Sequence, residues 1–568
     1  MTPRDKRWIV SAIALCVGLI YIYPLFLPTP LLDPDEGLHA AISQQMVEEG
    51  DYIIPRYLGE PFRDKPILFF AAQALSLRMF GMQEGAVRLP GLMFALLGVL
   101  ATGLLAWRLY DATTAAITIL VSLTLAIPLS LAQFAVHDVA AVPWTTLLLL
   151  CLWEMERPPA NPGRRRAWYG VGAAVLVALA ILTKGLLGIA ILSVGYTLYL
   201  VLARALTWSL VIRHGLILGG GALLASPWFL AMEWASPGYL YYYFIERHFL
   251  GYATVSQHHG GEPWYYYLPI LLFGAMPWTP YALAWIANGR WRRSGHKSLE
   301  TKADLLLACC FCGGLLFLSL AGSKLLTYAL PLFPLIAIAA GVTIKQFQAA
   351  TLAPAIQRAI GWNFRLLSAL GCVTPMAALV VLHRAAHMPT PRAAWWVAWL
   401  AASMTAAGFY LFQRGRIWPA FSCGTVWVAL MFVMLTTWPL QALAKEHTQY
   451  ELARRVNQLA DRVDRLVLVD ELPASVIFYL RPELRNRLRR GGIATMSRSA
   501  VDSAGHLLPG SLLAVSGPME LGADPRKSLP AVCSNERVGR YQLFREISPS
   551  HEFSLSHRAR QPEGDAIR

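Results

Sequence analysis

Read for alternation of apolar and polar positions, the chain shows long unbroken apolar runs rather than the two-residue or 3.6-residue periods of a soluble core. The first covers residues 8–27. Others follow at 89–108, 112–131, 139–155, 168–184, 186–203, 214–232, 265–287, 304–321, 327–344, 364–382, 394–412 and 417–437. Each has the length, about 17 to 25 residues, that a helix needs to cross ~30 Å of hydrocarbon. The pattern predicts an all-α polytopic membrane protein of about 13 transmembrane helices. From residue 441 the pattern becomes that of an ordinary soluble segment. There, 445–460 reads as a helix, Arg465 to Asp470 (RLVLVD) as a buried strand, 475–480 as a short helix, and 511–515 and 541–545 as further strands. The expected organisation is a membrane domain over 1–440 with long loops at 31–88 and 233–264, a small α/β domain over 441–548, and a disordered polar tail over 549–568.

Composition supports a bilayer as the solvent: 56% of the 568 residues are hydrophobic, only 15% are charged, and mean hydropathy is +0.45. The net charge of +15 does not point to nucleic acid, because the basic residues sit in short clusters between apolar runs. Threading the runs from a cytoplasmic N-terminus behind Arg4, Lys6 and Arg7 puts those clusters on one side: Arg164-Arg165-Arg166, 204–213, 290–302, 345–363, and Arg414 with Arg416. The loops 31–88 and 233–264 and the C-terminal domain then lie outside. The first run lacks a small-residue cleavage site and reads as a retained span. Seven of the eight cysteines fall in apolar runs without metal or disulfide spacing and read as small apolar filler; Cys533 stands alone in the polar part.

Candidate chemistry concentrates in the outside loops. Asp33-Pro34-Asp35-Glu36 offers an N-cap, proline at the first helical position and two acids in the first turn. Leu38, Ile42 and Met46 follow at helical spacing, predicting an amphipathic surface helix ending near Gly50. Asp35 and Glu36 fit either a helix-dipole role or acid–base chemistry. Arg63-Asp64-Lys65-Pro66 sets two cations just before an interfacial segment, suiting either anchorage or a lipid phosphate. Asp138 fits an N-cap of the fourth helix or a second site carboxylate, and Lys184 a snorkelling lysine or a donor contact. The 239–243 aromatic run reads as an interfacial belt, with Arg247 and His248 behind it.

The string PDEGLHAAISQQMVEEGDYIIPRYLGEPFRDKPILFF resembles the first outside loop of the bacterial aminoarabinose (lipid A) transferase-like and dolichyl-phosphate-mannose-protein mannosyltransferase-like glycosyltransferases, membrane enzymes of the GT-C class. HHGGEPWYYYLP at 258–269 and SKLLTYALP at 323–331 resemble two further segments of that family. The resemblance spans about residues 5–345. It implies the GT-C fold and an inverting transfer of a sugar from a polyprenyl-phosphate carrier to a lipid, glycan or protein acceptor at the periplasmic face of a bacterial inner membrane. By matching position it makes Asp35 the candidate base, with Glu36 and Asp138 as further acids. Lys65, Arg63, Lys184, Arg247 and Lys324 become the candidate phosphate contacts. It also raises a divalent metal such as zinc between Asp64 and His248 or His258, although two ligands fall short of a complete site, and Asp64 stands where the family usually has a longer glutamate. A transporter or flippase of lipid-linked sugars is the rival class, but it should carry paired charges or broken helices at mid-membrane. A non-enzymatic scaffold would have no use for these clustered charges.

Overall fold

The computed structural model describes residues 2–157, 162–253, 261–292, 298–384, 391–489, 492–497, 510–516 and 532–546. By contact, the chain divides into two compact units. One comprises Met1–Thr29, Ile42–Pro55 and Pro61–Ala442; the other comprises Pro30–Ala41, Arg56–Glu60 and Leu443–Arg568. The second unit thus takes in two pieces of the first long loop, which nothing in the local sequence announces.

All thirteen apolar runs of the first unit are helical. Among the described residues ten helices, from Pro3–Phe26 to Ile417–Ala444, are long and apolar enough to cross a membrane, and up to twelve if each bent pair is one span. The run at 186–203 forms the shorter helix Leu187–Leu202. Two runs read as straight spans are broken: Ala112–Leu123 meets Ala126–Ala132 at 62°, and Tyr267–Gly274 meets Thr279–Arg292 at 111°. Pro277, which has no N–H to give, lies in the second break. Backbone groups freed in hydrocarbon must find partners, and the two breaks supply them to each other. The Ala126 N–H donates to the Met276 carbonyl at 3.2 Å, and the Trp278 indole donates to the Thr124 hydroxyl at 2.9 Å.

Small residues let the helices close on one another. A Cβ on Gly313 would lie 2.7 Å from the Gly195 Cα, so Leu187–Leu202 and Leu299–Leu320 meet backbone to backbone. Cys309 and Cys310 are free and buried in the same helix. Buried carboxylates are paired, as their desolvation demands. Glu154 faces Arg108 at 2.9 Å, Arg157 at 3.4 Å and Arg165. Asp304 faces Arg290 at 3.0 Å and accepts from the Tyr110 hydroxyl at 2.6 Å.

In the second unit a five-stranded sheet runs in the order Ile493–Met496, Arg465–Val469, Ser511–Ser516, Tyr541–Glu546, Val532–Val538, the first three strands parallel and the last two antiparallel. After Arg465 the strand is apolar throughout, LVLV, because the sheet is covered on both faces. Leu466 and Leu468 pack with Leu452, Val476 and Leu484 from helices, while Val467 and Val469 pack with Leu513 and Phe544. The anticipated strands and short helix are present as Arg465–Val469, Ser511–Ser516, Tyr541–Glu546 and Ser475–Tyr479, and the anticipated 445–460 helix is shorter, Tyr450–Gln458. The edge strands Ile493–Met496 and Val532–Val538 were not anticipated, nor was the helix Pro482–Arg489, whose apolar face is Leu484 and Leu488 alone. The tail at 549–568 lies outside the described residues.

Candidate active site

The first-loop helix runs Asp35–Glu49, its residues to Ala41 in the second unit and the rest in the first, and it starts one residue later than an Asp33 N-cap would set it. Asp33 does not cap its own helix. Its carboxylate accepts from the Ser475 N–H at 2.7 Å, the Ser475 hydroxyl at 2.6 Å and the Gln449 N–H at 2.8 Å. Burial pushes this carboxyl up to about 6, against the lowering effect of those hydrogen bonds. Asp35 is exposed at the first helical residue, whereas Glu36 is buried and accepts from the Leu32 N–H at 2.9 Å. The helix is not the surface-lying amphipathic element its spacing suggested: His39, Ser43, Gln44 and Gln45 are as buried as Ile42 and Met46. Polar residues satisfied by hydrogen bonds, such as Ser43 to Gln73 at 2.6 Å, are what the apolar spacing could not reveal.

The first unit gathers the cations. Asp138 is in the first turn of His137–Glu156, whose N-cap is Val136, so Asp138 is not the cap. It pairs instead with Lys184 and accepts from the Thr327 hydroxyl. The Lys184 ammonium also lies 5.1 Å above the Tyr328 ring. Lys65 stands beside this pair. Lys184 is the largest influence on it and, with burial, holds its ammonium below the ordinary lysine range; Asp138 pulls the other way and Arg247 adds to the lowering.

The second long loop is built to meet Arg63 and Asp64. Glu233 accepts from the N–H groups of Gly238 at 2.7 Å and Leu240 at 2.8 Å, tying the end of the preceding helix to a π-helix, Tyr241–Leu250. A π-helix, with hydrogen bonds between residues five apart, aligns such residues. Tyr242 and Arg247 both address Asp64, the first through a hydrogen bond from its hydroxyl and the second with Nε at 4.0 Å. Arg63 lies 4.5 Å over the Tyr242 ring and donates to the Gly238 carbonyl at 3.1 Å. Tyr243 and His248, also five apart, pack their rings at 4.6 Å. Tyr239 and Tyr243 are fully buried against Phe229 and belong to the core, whereas Tyr241 is exposed as an interfacial residue would be, so the aromatic run is only partly a belt.

His248 does not fit a metal. Its Nδ1–H donates to the Tyr243 carbonyl at 2.6 Å, and its Nε2 accepts from the Leu186 N–H at 3.3 Å, which occupies both ring nitrogens. Burial holds the imidazole below the ordinary histidine range, against the opposing hydrogen bond to Tyr243. Gly185, with φ +77°, makes this approach feasible, since a Cβ there would strike His248 Nε2 and the Tyr243 hydroxyl. Among the described residues no three metal-ligating side chains gather. His258 lies outside the described residues.

The structure thus brings Lys65, Asp138, Lys184 and Arg247 together, with Arg63 and Asp64 adjoining through Tyr242. Lys324 is not drawn into the Lys65 group: its ammonium is used on the carbonyls of Ala321 at 2.6 Å and Glu262 at 3.2 Å. Sequence reasoning missed Thr327, Tyr328 and Tyr242 as site residues. The first two lay in plain view inside SKLLTYALP, at the start of an apolar run.

The fold is that of the GT-C membrane glycosyltransferases. ArnT from Cupriavidus metallidurans, solved bound to undecaprenyl phosphate, superposes with a TM-score of 0.76 at 22% identity, covering 96% of this chain and 99% of that one. The archaeal oligosaccharyltransferase AglB from Archaeoglobus fulgidus gives 0.50 at 12% identity, covering 90% of this chain and 69% of that one. In sequence the chain resembles the aminoarabinose transferases. It is 29% identical over 371 residues to the undecaprenyl phosphate-alpha-4-amino-4-deoxy-L-arabinose arabinosyl transferase of Erwinia tasmaniensis, a match covering 65% of this chain and 64% of that relative. It is 32% identical over 330 residues to the corresponding transferase 2 of Proteus mirabilis, covering 56% of each. The matched stretch is therefore less than two thirds of these relatives' length. Residues 64–230 match the dolichyl-phosphate-mannose-protein mannosyltransferase family.

Proposed function

We propose that the protein is a glycosyltransferase that moves a sugar from a polyprenyl-phosphate carrier to a lipid acceptor at the periplasmic face of the bacterial inner membrane. The observation that carries this reading is the crowding of Lys65 by Lys184 and Arg247 with Asp138 as the nearby compensating anion. Like charges held together in a buried place repel, and a phosphate between them turns repulsion into binding. In a transfer that inverts the anomeric carbon, the C–O bond to the carrier breaks as the acceptor oxygen attacks. Negative charge collects on the leaving phosphate, where fixed ammonium groups stabilise it most. Asp138 anchors Lys184 in this scheme. Asp35, exposed at its helix start, takes the proton of the attacking acceptor group. The names of the relatives make undecaprenyl phosphate the first carrier to try and 4-amino-4-deoxy-L-arabinose the first sugar; lipid A, which the first-loop resemblance implies, is the first acceptor to try, and an envelope glycan or protein acceptor is the next choice.

The test is Asp35→Asn, which keeps shape and removes charge. Turnover should fall about 10²- to 10⁴-fold, while the purified variant binds polyprenyl phosphate as the wild type does. Near-normal turnover would leave Asp35 as a helix-dipole residue and overturn its role as base.

A further inference from the structure

We infer that the C-terminal sheet domain is a positioning device for Asp35, exerted through a three-donor grip on the carboxylate of Asp33; this rests on the reading of Asp35 as the base. Asp33 is two residues before Asp35, and both of its oxygens are held by backbone or hydroxyl donors from the far end of the chain, Ser475 and Gln449. The grip is reinforced on either side. The Asp33 N–H donates to the His447 carbonyl at 2.9 Å, the Leu31 N–H to the Tyr479 hydroxyl at 2.9 Å, and the Tyr57 hydroxyl to the Pro473 carbonyl at 2.6 Å.

Packing continues the contact beyond the hydrogen bonds. Ala41, two turns along the same helix, belongs to the domain's own core with Leu452, Val476 and Ile477. Gly37 lies so close that a Cβ there would strike the Ser475 backbone and the Asp33 carboxylate. Segment 30–41 is therefore part of the C-terminal domain in everything but sequence. Ser475 also begins the helix Ser475–Tyr479, so Asp33 satisfies a donor that the helix start leaves open. Asp33 and Ser475 act on the chemistry only through where they hold the Asp35 backbone. They are positioning residues, and reacting groups displaced by ~1 Å lose rate by as much as about 10²-fold.

The experiment uses the full chain in nanodiscs and four clamp variants: Asp33→Asn, Ser475→Ala, their double, and Ser475→Thr. Hydrogen exchange over 30–41, kcat with a polyprenyl-phosphate sugar, and affinity for polyprenyl phosphate are read on each. Either single loss should raise exchange in 30–41 and lower kcat roughly 10- to 100-fold, with carrier affinity unchanged and Arg465–Val469 still protected. The double should do no worse than the stronger single, because both break one contact, and Ser475→Thr should restore the rate. If Asp33→Asn unfolds the sheet, Ser475→Ala and Ser475→Thr decide alone. Freed exchange in 30–41 with a normal kcat overturns the inference while leaving Asp35 as base. Unchanged exchange overturns the clamp itself. An active Asp35→Asn enzyme that is still slowed by the clamp variants overturns Asp35 as the clamped group.

Discussion

If Lys65 holds the carrier phosphate, its crowding by Lys184 makes carrier binding pH-dependent in a range where an isolated lysine would show nothing. In the carrier-free protein Lys65 gives up its proton below the ordinary lysine range, because Lys184 and burial both oppose its charge. Only the ammonium form binds phosphate well, so apparent affinity is the intrinsic affinity reduced by the protonated fraction. Affinity should hold while pH stays below the lowered value and fall about tenfold per unit once pH passes it. A phosphate monoester, with a second pKa of about 6, stays doubly charged across that window. The stability of the carrier-free protein should move the opposite way, rising with pH there, because the unfolded chain still holds the proton that folded Lys65 has lost. A charge-assisted hydrogen bond is worth about 1.5–3 kcal/mol, so Lys65→Ala should weaken polyprenyl phosphate binding roughly 10- to 150-fold at pH 7.5 and flatten the profile above it. Lys184→Met should shift the fall to higher pH, since Asp138 then faces Lys65 without its present partner. The assay is titration of undecaprenyl phosphate into purified protein from about pH 7.5 to 10. The same fall in Lys65→Ala as in wild type, or no fall in either, would refute the assignment.

Two further substitutions probe the same site. Asp138→Asn leaves the nearly buried Lys184 without its counter-ion; it should lower stability by about 3 kcal/mol while tightening carrier phosphate binding, and a loss of both would argue against a surplus of cations. Gly185→Ala should destabilise the protein by more than about 1 kcal/mol and displace His248, because a Cβ there strikes the imidazole and φ is +77°; thermal melting with His248 monitored by NMR checks it, and an unchanged melt would mean the π-helix yields freely.

Much of the site was legible because charge in an apolar stretch is conspicuous. Lys65, Asp138 and Lys184 each stand at the end of a run that otherwise has no reason to hold a charge. Asp33 was misread for the opposite reason: an acid before a proline satisfies the local rule for an N-cap, and the partner that overrides it is 442 positions away at Ser475. Tyr242 reads as one tyrosine among several, and only the five-residue alignment of the π-helix sets it with Arg247 on Asp64. No intrinsic preference in Tyr241–Leu250 announces that geometry. The break at 274–279 was partly readable, since Pro277 cannot continue a hydrogen-bonded helix, but its 111° bend depends on Thr124 and Ala126 in another run. The polar edge strand Val532–Val538 is set by its pairing with Tyr541–Glu546, which leaves no apolar alternation to read.

The most direct measurement is the fate of a doubly labelled donor. Purified protein in proteoliposomes is given a polyprenyl-phosphate sugar with one isotope in the sugar and another in the carrier, together with lipid A. Transfer predicts that the sugar label moves to lipid A while the carrier label is recovered as free polyprenyl phosphate in equal amount, and that Lys65→Ala and Asp35→Asn suppress both. A donor that reaches the other leaflet with its two labels still joined would make the protein a transporter and contradict the enzymatic reading.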